Sequence, residues 1–351
     1  MQVAGYNFVS YNKKDNANDK NRFIKVKNME IKKTHILVYI VMINLLLILL
    51  GLQFLFSDRD FSALKVEQSR KIGACYTDLD NSFFDVLNNE ISSVIEENGD
   101  LLITRDSMLD QEKQNMQIHE LIQSGVDALI IAPVDWKAIK PALEESKEAG
   151  VIVLIVDSQV YDKDLVDCMI TSDNYDVGVQ MANYLKSQCE NARIMVIEKE
   201  GSKASDDRVK GFKDELAREK SYQIIAERIS DGTIESSMNT VETVINGRIN
   251  FDCVFAVNDP CAIGAITACE KYKIAQYVDF LSTDGSPDGK KLIQSSAMMA
   301  TAAQFPTEMG MRAVESLYKI LNGEDCEKSI LVPVKLITRY TITSYDLEKW
   351  Q

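Results

Sequence analysis

Apolar residues between positions 71 and 321 follow two alternating patterns: short continuous runs, and longer stretches with helical spacing. The first run, Lys71–Tyr76, stops at a polar turn that contains Thr77 and Asn81. An aromatic pair follows, and apolar residues then recur near every third or fourth position up to Ile95. This order predicts a strand, a loop and an amphipathic helix.

The same unit recurs along the chain. Further strand-like runs lie at 101–104, 128–132, 151–156, 168–171, 194–197, 223–226, 253–257, 280–282 and 298–302. Helix-like stretches lie between them at 84–98, 111–124, 136–149, 177–187, 205–217, 234–245, 262–272, 288–294 and 308–321. Strands that alternate with helices of this length indicate right-handed crossovers and a parallel sheet covered on both faces.

Ten strand-like runs are too many for one compact sheet, so the pattern predicts an α/β fold with two similar, doubly wound lobes. No linker rich in Pro, Gly or Ser separates the halves, which favours a hinge of several crossings. We place the crossings near Asp173–Asn174, Gln304–Phe305 and Val332–Pro333. The N-terminal lobe is then 70–173 plus 305–332, and the C-terminal lobe is 174–304 plus 333–348.

An uncharged apolar stretch, Ile36–Phe56, precedes the lobes. Its 21 residues would span about 31 Å as a helix, which is roughly one hydrocarbon thickness. Four lysines precede it, at positions 25, 27, 32 and 33, whereas Asp58 and Asp60 follow. We therefore predict a polar cytoplasmic tail (1–33), one transmembrane helix (34–57) and a stalk (58–69) on the cell membrane, with the lobes outside the cytoplasm.

Composition excludes several classes of function. The formal net charge is -14, and a nucleic-acid-binding face would instead be basic. The seven cysteines form no CxxC pair and the two histidines lie away from them, so we expect neither a metal site nor a cofactor.

Hydrogen-bonding residues stand directly after most of the predicted strands. Asp157, Ser172, Asn258, Asp284 and Gln304 are examples. The carboxyl ends of parallel strands share one edge of a sheet, where ligands of open α/β sheets bind. Carboxylates and amides suit vicinal hydroxyls, and aromatic faces cover the C–H surface of a sugar ring. The pattern therefore predicts a site for a small carbohydrate or polyol.

Residues 71–340 resemble type I periplasmic (substrate-binding) proteins, most closely those for ribose and related sugars. The resemblance rests on TDLDNSFF (77–84), QIHELIQSGVDALIIAPVD (117–135), IVDSQ (155–159), SDN (172–174), VFAVNDPCAIGA (254–265), TDGSPDG (283–289) and ATAAQFP (300–306). It implies no catalysis and a set of ligand contacts carried over by position. These are Thr77, Asn81, Phe83, Phe84, Asp157, Ser172, Asn258, Asp284 and Gln304.

The departures from that pattern argue against ribose as the ligand. Ser158 and Asp206 stand where the ribose binders place arginines, and Ala132 replaces an asparagine. A third aromatic position falls at Gly232. Losing two forked donors would leave hydroxyls of ribose unmatched, at about 1–3 kcal/mol each. Ser158 and Asp206 remain candidate contacts, whereas Trp136 is either a rim contact or a packed residue in the first turn of a helix.

Two other classes fit the sequence less well. A dinucleotide-dependent enzyme would carry glycines in the first loop, and TDLDNSFF has none. A sugar-responsive repressor would carry a helix-turn-helix where the apolar span lies. Two binding roles remain open: delivery of the solute to an ABC-type permease, and sensing, in which closure is reported to a membrane histidine kinase.

Overall fold

The computed structural model describes Lys32, residues 35–50 and residues 69–351. The chain divides into two compact units, 1–68 and 69–351, which are considered separately. The rest of the predicted tail, residue 34, the end of the predicted anchor (51–57) and nearly all of the predicted stalk lie outside the described residues.

Within the first unit, residues 35–50 form a helix, α1. Its large apolar side chains are exposed, and Asn44 donates its side-chain amide to the carbonyl of Ile40 at 2.8 Å. No helix among the described residues has both the length and the apolar character that crossing a bilayer requires. The transmembrane helix therefore stays a prediction.

Within residues 69–351, the second unit contains twelve strands and nine α-helices. The strands are β1 (Lys71–Tyr76), β2 (Leu101–Asp106), β3 (Ala128–Ile131), β4 (Ile152–Asp157), β5 (Cys168–Ser172), β6 (Ala192–Lys199), β7 (Tyr222–Ser230), β8 (Cys253–Ala256), β9 (Asp279–Asp284), β10 (Ala300–Ala303), β11 (Ser329–Val332) and β12 (Lys335–Thr338). The helices are α2 (Ser82–Glu97), α3 (Gln111–Gln123), α4 (Lys140–Glu148), α5 (Asn174–Gln188), α6 (Lys203–Leu216), α7 (Ile234–Asn246), α8 (Asp259–Lys271), α9 (Pro287–Gln294) and α10 (Pro306–Leu321).

The strands form two six-stranded sheets. The first has the order β11-β5-β4-β3-β1-β2 and all its pairs are parallel. One of its faces packs on α2 and α10, and the other packs on α3 and α4. The four central strands, β5, β4, β3 and β1, are buried on both faces, which explains why they read as continuous apolar runs.

The second sheet has the order β12-β10-β9-β8-β6-β7. Its pairs are parallel except for β10 with β12, which is antiparallel. The helices α5 to α9 cover it around a second apolar core. The predicted α/β fold with two parallel-sheet lobes is therefore confirmed.

The chain passes between the two sheets three times. It leaves the first sheet after β5, returns from β10 into α10, and crosses again in the two residues between β11 and β12. The strands β11 and β12 were not predicted, since no helix separates them and neither shows a clear alternation.

The start of α4 also differs from the sequence prediction. The apolar spacing predicted a helix from Trp136, whereas α4 begins at Lys140. Asp135 accepts hydrogen bonds from the backbone N–H groups of Lys137 and Ala138, both at 2.8 Å, and so holds a separate turn ahead of the helix. Pro141 in the first turn of α4 needs no hydrogen-bond acceptor, which fits the later start. Trp136 is thus not a helical residue.

Candidate functional site

A cleft lies between the two lobes, where the carboxyl ends of β1, β4, β6, β8 and β9 face one another. It has a volume of about 430 Å³, counting space open to solvent, but only about 40 Å³ can hold the centre of a water molecule. The lobes therefore stand close together, and the cleft suits a small ligand. Its lining residues are Asn81, Phe83, Phe84, Asp157, Lys199, Ser202, Ala204, Ser205, Arg208, Val257, Asn258, Asp284 and Gln304.

Two phenylalanines form an aromatic wall at the start of α2. Asn81 caps this helix, and its side chain accepts a hydrogen bond from the N–H of Phe83 at 3.0 Å. The cap fixes the turn that presents both rings. The rings of Phe83 and Phe84 meet edge to face with centroids 5.2 Å apart, and Tyr76 packs behind Phe84 at 6.0 Å. The wall is therefore rigid and apolar.

Asp157 ends β4 with its backbone in the left-handed region, at φ 68°. Residues other than glycine adopt this conformation at a cost, and such strain concentrates at functional sites. Its carboxylate has no hydrogen-bond partner among residues 69–351. Burial raises the pKa of Asp157, and the positive charges of Arg208 and Lys199 oppose that rise. Asp157 is thus a half-buried acceptor that lines the cleft without a partner.

Asp284 ends β9 with an equally unusual backbone, at φ 130°. It accepts hydrogen bonds from the N–H of Asp259 at 3.1 Å and from Nε2 of Gln304 at 2.8 Å. Burial, together with the nearby charge of Asp259, raises the pKa of Asp284 to about 8. The carboxyl is therefore largely protonated at pH 7 and can donate as well as accept.

Gln304 connects this carboxyl to the first lobe. Its Oε1 accepts a hydrogen bond from the hydroxyl of Ser172 at 2.8 Å, at the crossing that follows β5. Ser172, Gln304 and Asp284 therefore form one chain of hydrogen bonds across two of the three crossings.

Two cations that the sequence patterns did not predict also line the cleft. Lys199 is the last residue of β6, and burial lowers the pKa of its ammonium group. The ammonium has no hydrogen-bond or ion-pair partner among residues 69–351. Its stem lies against Gly232, where an added Cβ would approach Cδ of Lys199 to 2.9 Å. The predicted strand ends at Ile197, two residues before β6 ends. A strand predicted to end at Lys199 would have placed this lysine among the polar residues at the sheet edge.

Arg208 reaches the cleft from α6. Its Nε donates to Oδ1 of Asn174 at 2.8 Å and its Nη1 donates to the carbonyl of Val257 at 2.7 Å. These bonds fix the plane of the guanidinium group beside Asp157 and Asp284. The sequence patterns did not place Arg208 in the site.

Most of the residues predicted to contact the ligand line the cleft, and two do not. Thr77 is buried, and its hydroxyl bonds to the carbonyls of Ala132 and Pro133 at 3.1 and 3.2 Å. Ser172 is committed to Gln304. Both residues therefore hold loops around the cleft in place. The contacts of the full predicted set with a ligand stay a prediction.

None of the three further candidates lines the cleft. Ser158 accepts a hydrogen bond from the N–H of Ala204 in the opposite lobe at 3.2 Å. Trp136 donates its backbone N–H across the lobes to Gly201 at 3.0 Å, and its ring packs edge-on against Tyr161. Asp206 lies outside the lining, where burial raises its pKa despite the nearby ammonium of Lys203.

The part of the chain that the structure describes contains no evident metal-binding site. No group of three His, Cys, Asp or Glu side chains there is arranged to hold a metal ion. The histidine of the second unit, His119, contacts Glu145 on the surface, away from the cleft.

Comparison with known proteins gives a consistent family. A family model described as a periplasmic binding protein domain matches residues 72–325. The ribose import binding protein RbsB of Bacillus subtilis is 30% identical over 270 residues, covering 76% of this chain and 87% of that protein. A solved galactofuranose binding protein is 26% identical with a TM-score of 0.73, covering 78% of this chain and 96% of that structure.

A third comparison concerns the fold alone. The fructose binding periplasmic domain of a hybrid two component system is 23% identical with a TM-score of 0.74. The match covers 78% of this chain and 92% of that domain. The same two-lobed body therefore occurs in a protein attached to a signalling system.

Proposed function

This chain belongs to the periplasmic binding protein family, a family of binding proteins and not of enzymes, and from that premise we propose that it captures a small carbohydrate or polyol outside the cytoplasm. Its lobes close on the solute, and the closed form presents the solute to an ABC-type permease. The observation that carries the proposal is the convergence of an aromatic wall, one buried and one half-buried carboxyl, and two cations on one cleft between the lobes.

Each group has a role in this proposal. Phe83 and Phe84 cover the C–H surface of the sugar, while Asp157, Asn258, Asp284 and Gln304 bind its hydroxyls. Asn81 lines the same cleft at the helix cap. Thr77 and Ser172, which we predicted as contacts, support this set from behind.

Lys199 and Arg208 complete the set of donors. The family's two arginines are absent at Ser158 and Asp206, and without replacements the sugar would lose several hydrogen bonds. The ammonium of Lys199 offers three donors, and it lines the same cleft as the unpaired carboxylate of Asp157, close enough for the two charges to interact. A hydroxyl between them can donate to one group and accept from the other. Lys199 differs in kind from an arginine, and both donors stand at positions other than 158 and 206, which supports a ligand other than ribose.

The three crossings serve as the hinge in this proposal. We keep the boundaries 70–173 plus 305–332 for one lobe and 174–304 plus 333–348 for the other. The ligand binds groups of both lobes at once, so it stabilises the closed arrangement by its differential affinity for that state.

The location is also a proposal. The apolar, exposed side chains of α1 support a single-pass anchor with the N-terminus in the cytoplasm and the lobes outside it. An anchored receptor stays beside one membrane partner, which favours a second candidate function: a sensing co-receptor that reports closure to a membrane histidine kinase. Purification of the full-length protein from its own membranes distinguishes the two, since it returns permease and ATPase subunits or a kinase.

Thermal unfolding of residues 65–351 against pentoses, hexoses and polyols tests the ligand class. A ligand at 100 times its dissociation constant adds about 2.7 kcal/mol to the free energy of unfolding. Asp284→Ala should abolish the shift and leave the unliganded protein folded, whereas Asp80→Ala, at an exposed position near the cleft, should keep the shift. A panel in which no sugar or polyol raises the midpoint would remove the carbohydrate assignment.

A further inference from the structure

The last residues of the chain connect the two lobes at the ligand cleft. Residues 345–351, the C-terminal strap, follow the third crossing and a short 3-10 helix (Ile342–Ser344). Tyr345 and Leu347 pack against the core of the second lobe, whereas Trp350 packs against the core of the first. This segment of seven residues therefore contacts both lobes.

A buried lysine fixes the strap to the second lobe. Lys290 of α9 is 1% exposed, and its ammonium donates to the carbonyl of Asp346 at 2.6 Å and to the carbonyl of Lys349. Burying an ammonium group is costly unless its donors are satisfied, and the strap carbonyls satisfy them. The strap is thus held to this lobe by more than its apolar contacts.

The other end of the strap supports residues of the cleft. The ring of Trp350 meets the ring of Phe83 edge to face, with centroids 5.7 Å apart. Gln351 donates its side-chain amide to the carbonyls of Asp284 and Gln304, at 3.1 and 2.6 Å. Nε1 of Trp350 is buried without a partner among the described residues, so the indole is held by packing alone.

We propose that Trp350 is a positioning residue that holds Phe83 against the cleft and favours the closed angle between the lobes. This inference rests on the proposed closure of the lobes on a ligand. The strap is fixed to one lobe by Lys290, so a change of the angle must pull Trp350 away from the first lobe. The contact between the two rings therefore stabilises the closed arrangement before a ligand arrives and keeps the ring of Phe83 ready for it.

The test compares Trp350→Ala and Trp350→Phe in the full chain without ligand. Small-angle scattering should give a larger radius of gyration for Trp350→Ala, and hydrogen exchange should rise in the segment 82–87. Trp350→Phe keeps a ring against Phe83 and should restore both values towards wild type. Tyr277→Ala, at a site 71% exposed, is the matched control and should change neither.

A second measurement uses whichever neutral sugar raises the melting temperature. Aromatic pairs of this kind correspond to about a 2- to 10-fold change in affinity, so Trp350→Ala should weaken binding by that factor and Trp350→Phe should recover it. Unchanged scattering and exchange in a folded Trp350→Ala would overturn the inference. If no sugar binds the wild type, the proposed function fails, while the scattering and exchange still decide the role of Trp350.

A separate observation concerns two cysteines at the edge of the first sheet. Cys168 begins β5, and Cys326 lies just before β11, its neighbour in the sheet. Both thiols donate to one atom, the carbonyl oxygen of Glu327, at 3.1 and 3.5 Å. No other two cysteines in residues 69–351 share an acceptor, and all seven thiols are free.

The geometry points to a disulfide between Cys168 and Cys326 that forms with a low-molecular-weight disulfide such as oxidised glutathione. Cys326 is partly exposed, whereas burial and the neighbouring Cys326 raise the pKa of Cys168 to about 12, so Cys326 reacts first. The thiolate of Cys326 attacks the glutathione disulfide and releases one glutathione. The sulfur of Cys168 loses its proton to water, attacks Sγ of Cys326, and expels the second glutathione.

Mass spectrometry of unreduced peptides from the full chain after this treatment tests the assignment. The peptides that contain Cys168 and Cys326 should be linked, and dithiothreitol should separate them. Cys168→Ser should instead keep a glutathione adduct on Cys326. Cys189 is also partly exposed and serves as a reference for the reaction conditions. The assignment would be wrong if both cysteines stayed free thiols under conditions that modify Cys189. It would also be wrong if the bridge joined different cysteines.

Discussion

Replacing Asp284 by asparagine tests how the buried carboxyl group is held. Its two oxygens accept from the N–H of Asp259 at 3.1 Å and from Nε2 of Gln304 at 2.8 Å. The amide of Asp284→Asn has only one oxygen, so one of these donors loses its acceptor. A buried donor without a partner costs about 1–3 kcal/mol, and we expect the variant to be less stable by that amount at low pH, where the wild-type carboxyl is protonated in both the folded and the unfolded chain.

The size of this difference depends on pH. Burial and the charge of Asp259 raise the pKa of Asp284 to about 8, against an ordinary value of 3.8. Between these values the folded chain holds a proton that the unfolded chain has released. The stability from this proton is therefore complete below pH 3.8 and is lost as the pH rises through about 8. The free energy of unfolding of the wild type falls by at most about 1.4 kcal/mol per pH unit over this range. Asp284→Asn has no proton to release at this position, so its stability lacks this pH dependence.

Urea unfolding of residues 65–351 at pH 5, 6, 7 and 8 measures both effects. The free energy of unfolding of the wild type should fall relative to that of Asp284→Asn at each step from pH 5 to pH 8. Asp80→Asn, at an exposed position near the same cleft, controls for the general pH dependence and should follow the wild type. Parallel curves for the wild type and Asp284→Asn would refute the raised pKa of this carboxyl.

Two further substitutions test the cleft and its support. Lys199→Met keeps a side chain against Gly232 and removes the ammonium donors. We therefore expect the affinity for the sugar, measured by calorimetry, to fall about 10- to 150-fold while the melting temperature without ligand stays unchanged. A dissociation constant like that of the wild type would exclude Lys199 as a contact. Gly178→Ala should destabilise the protein by about 1–3 kcal/mol in urea unfolding, because its Cβ would lie 2.0 Å from the carbonyl oxygen of Arg208. An unchanged midpoint of urea unfolding would contradict this packing of α5 on α6.

The sequence by itself determined the repeated strand–loop–helix units and the two-lobed fold. Apolar periodicity is a local property, and it records which faces of each strand and helix are buried. The same reasoning identified Asp157, Asn258, Asp284 and Gln304, because polar residues at the carboxyl ends of parallel strands collect at one edge. It did not predict β11 and β12, whose partners β5 and β10 lie far away along the chain.

Only the tertiary structure decided which side chains meet in the cleft. Lys199 reaches it because Gly232, on a different segment, leaves room for its stem, and Thr77 turns away because two backbone carbonyls accept its hydroxyl. The contact of Trp350 with Phe83 joins the two ends of the second unit. These contacts depend on packing between segments that are distant in sequence, so the pattern of apolar and polar residues along the chain does not predict them.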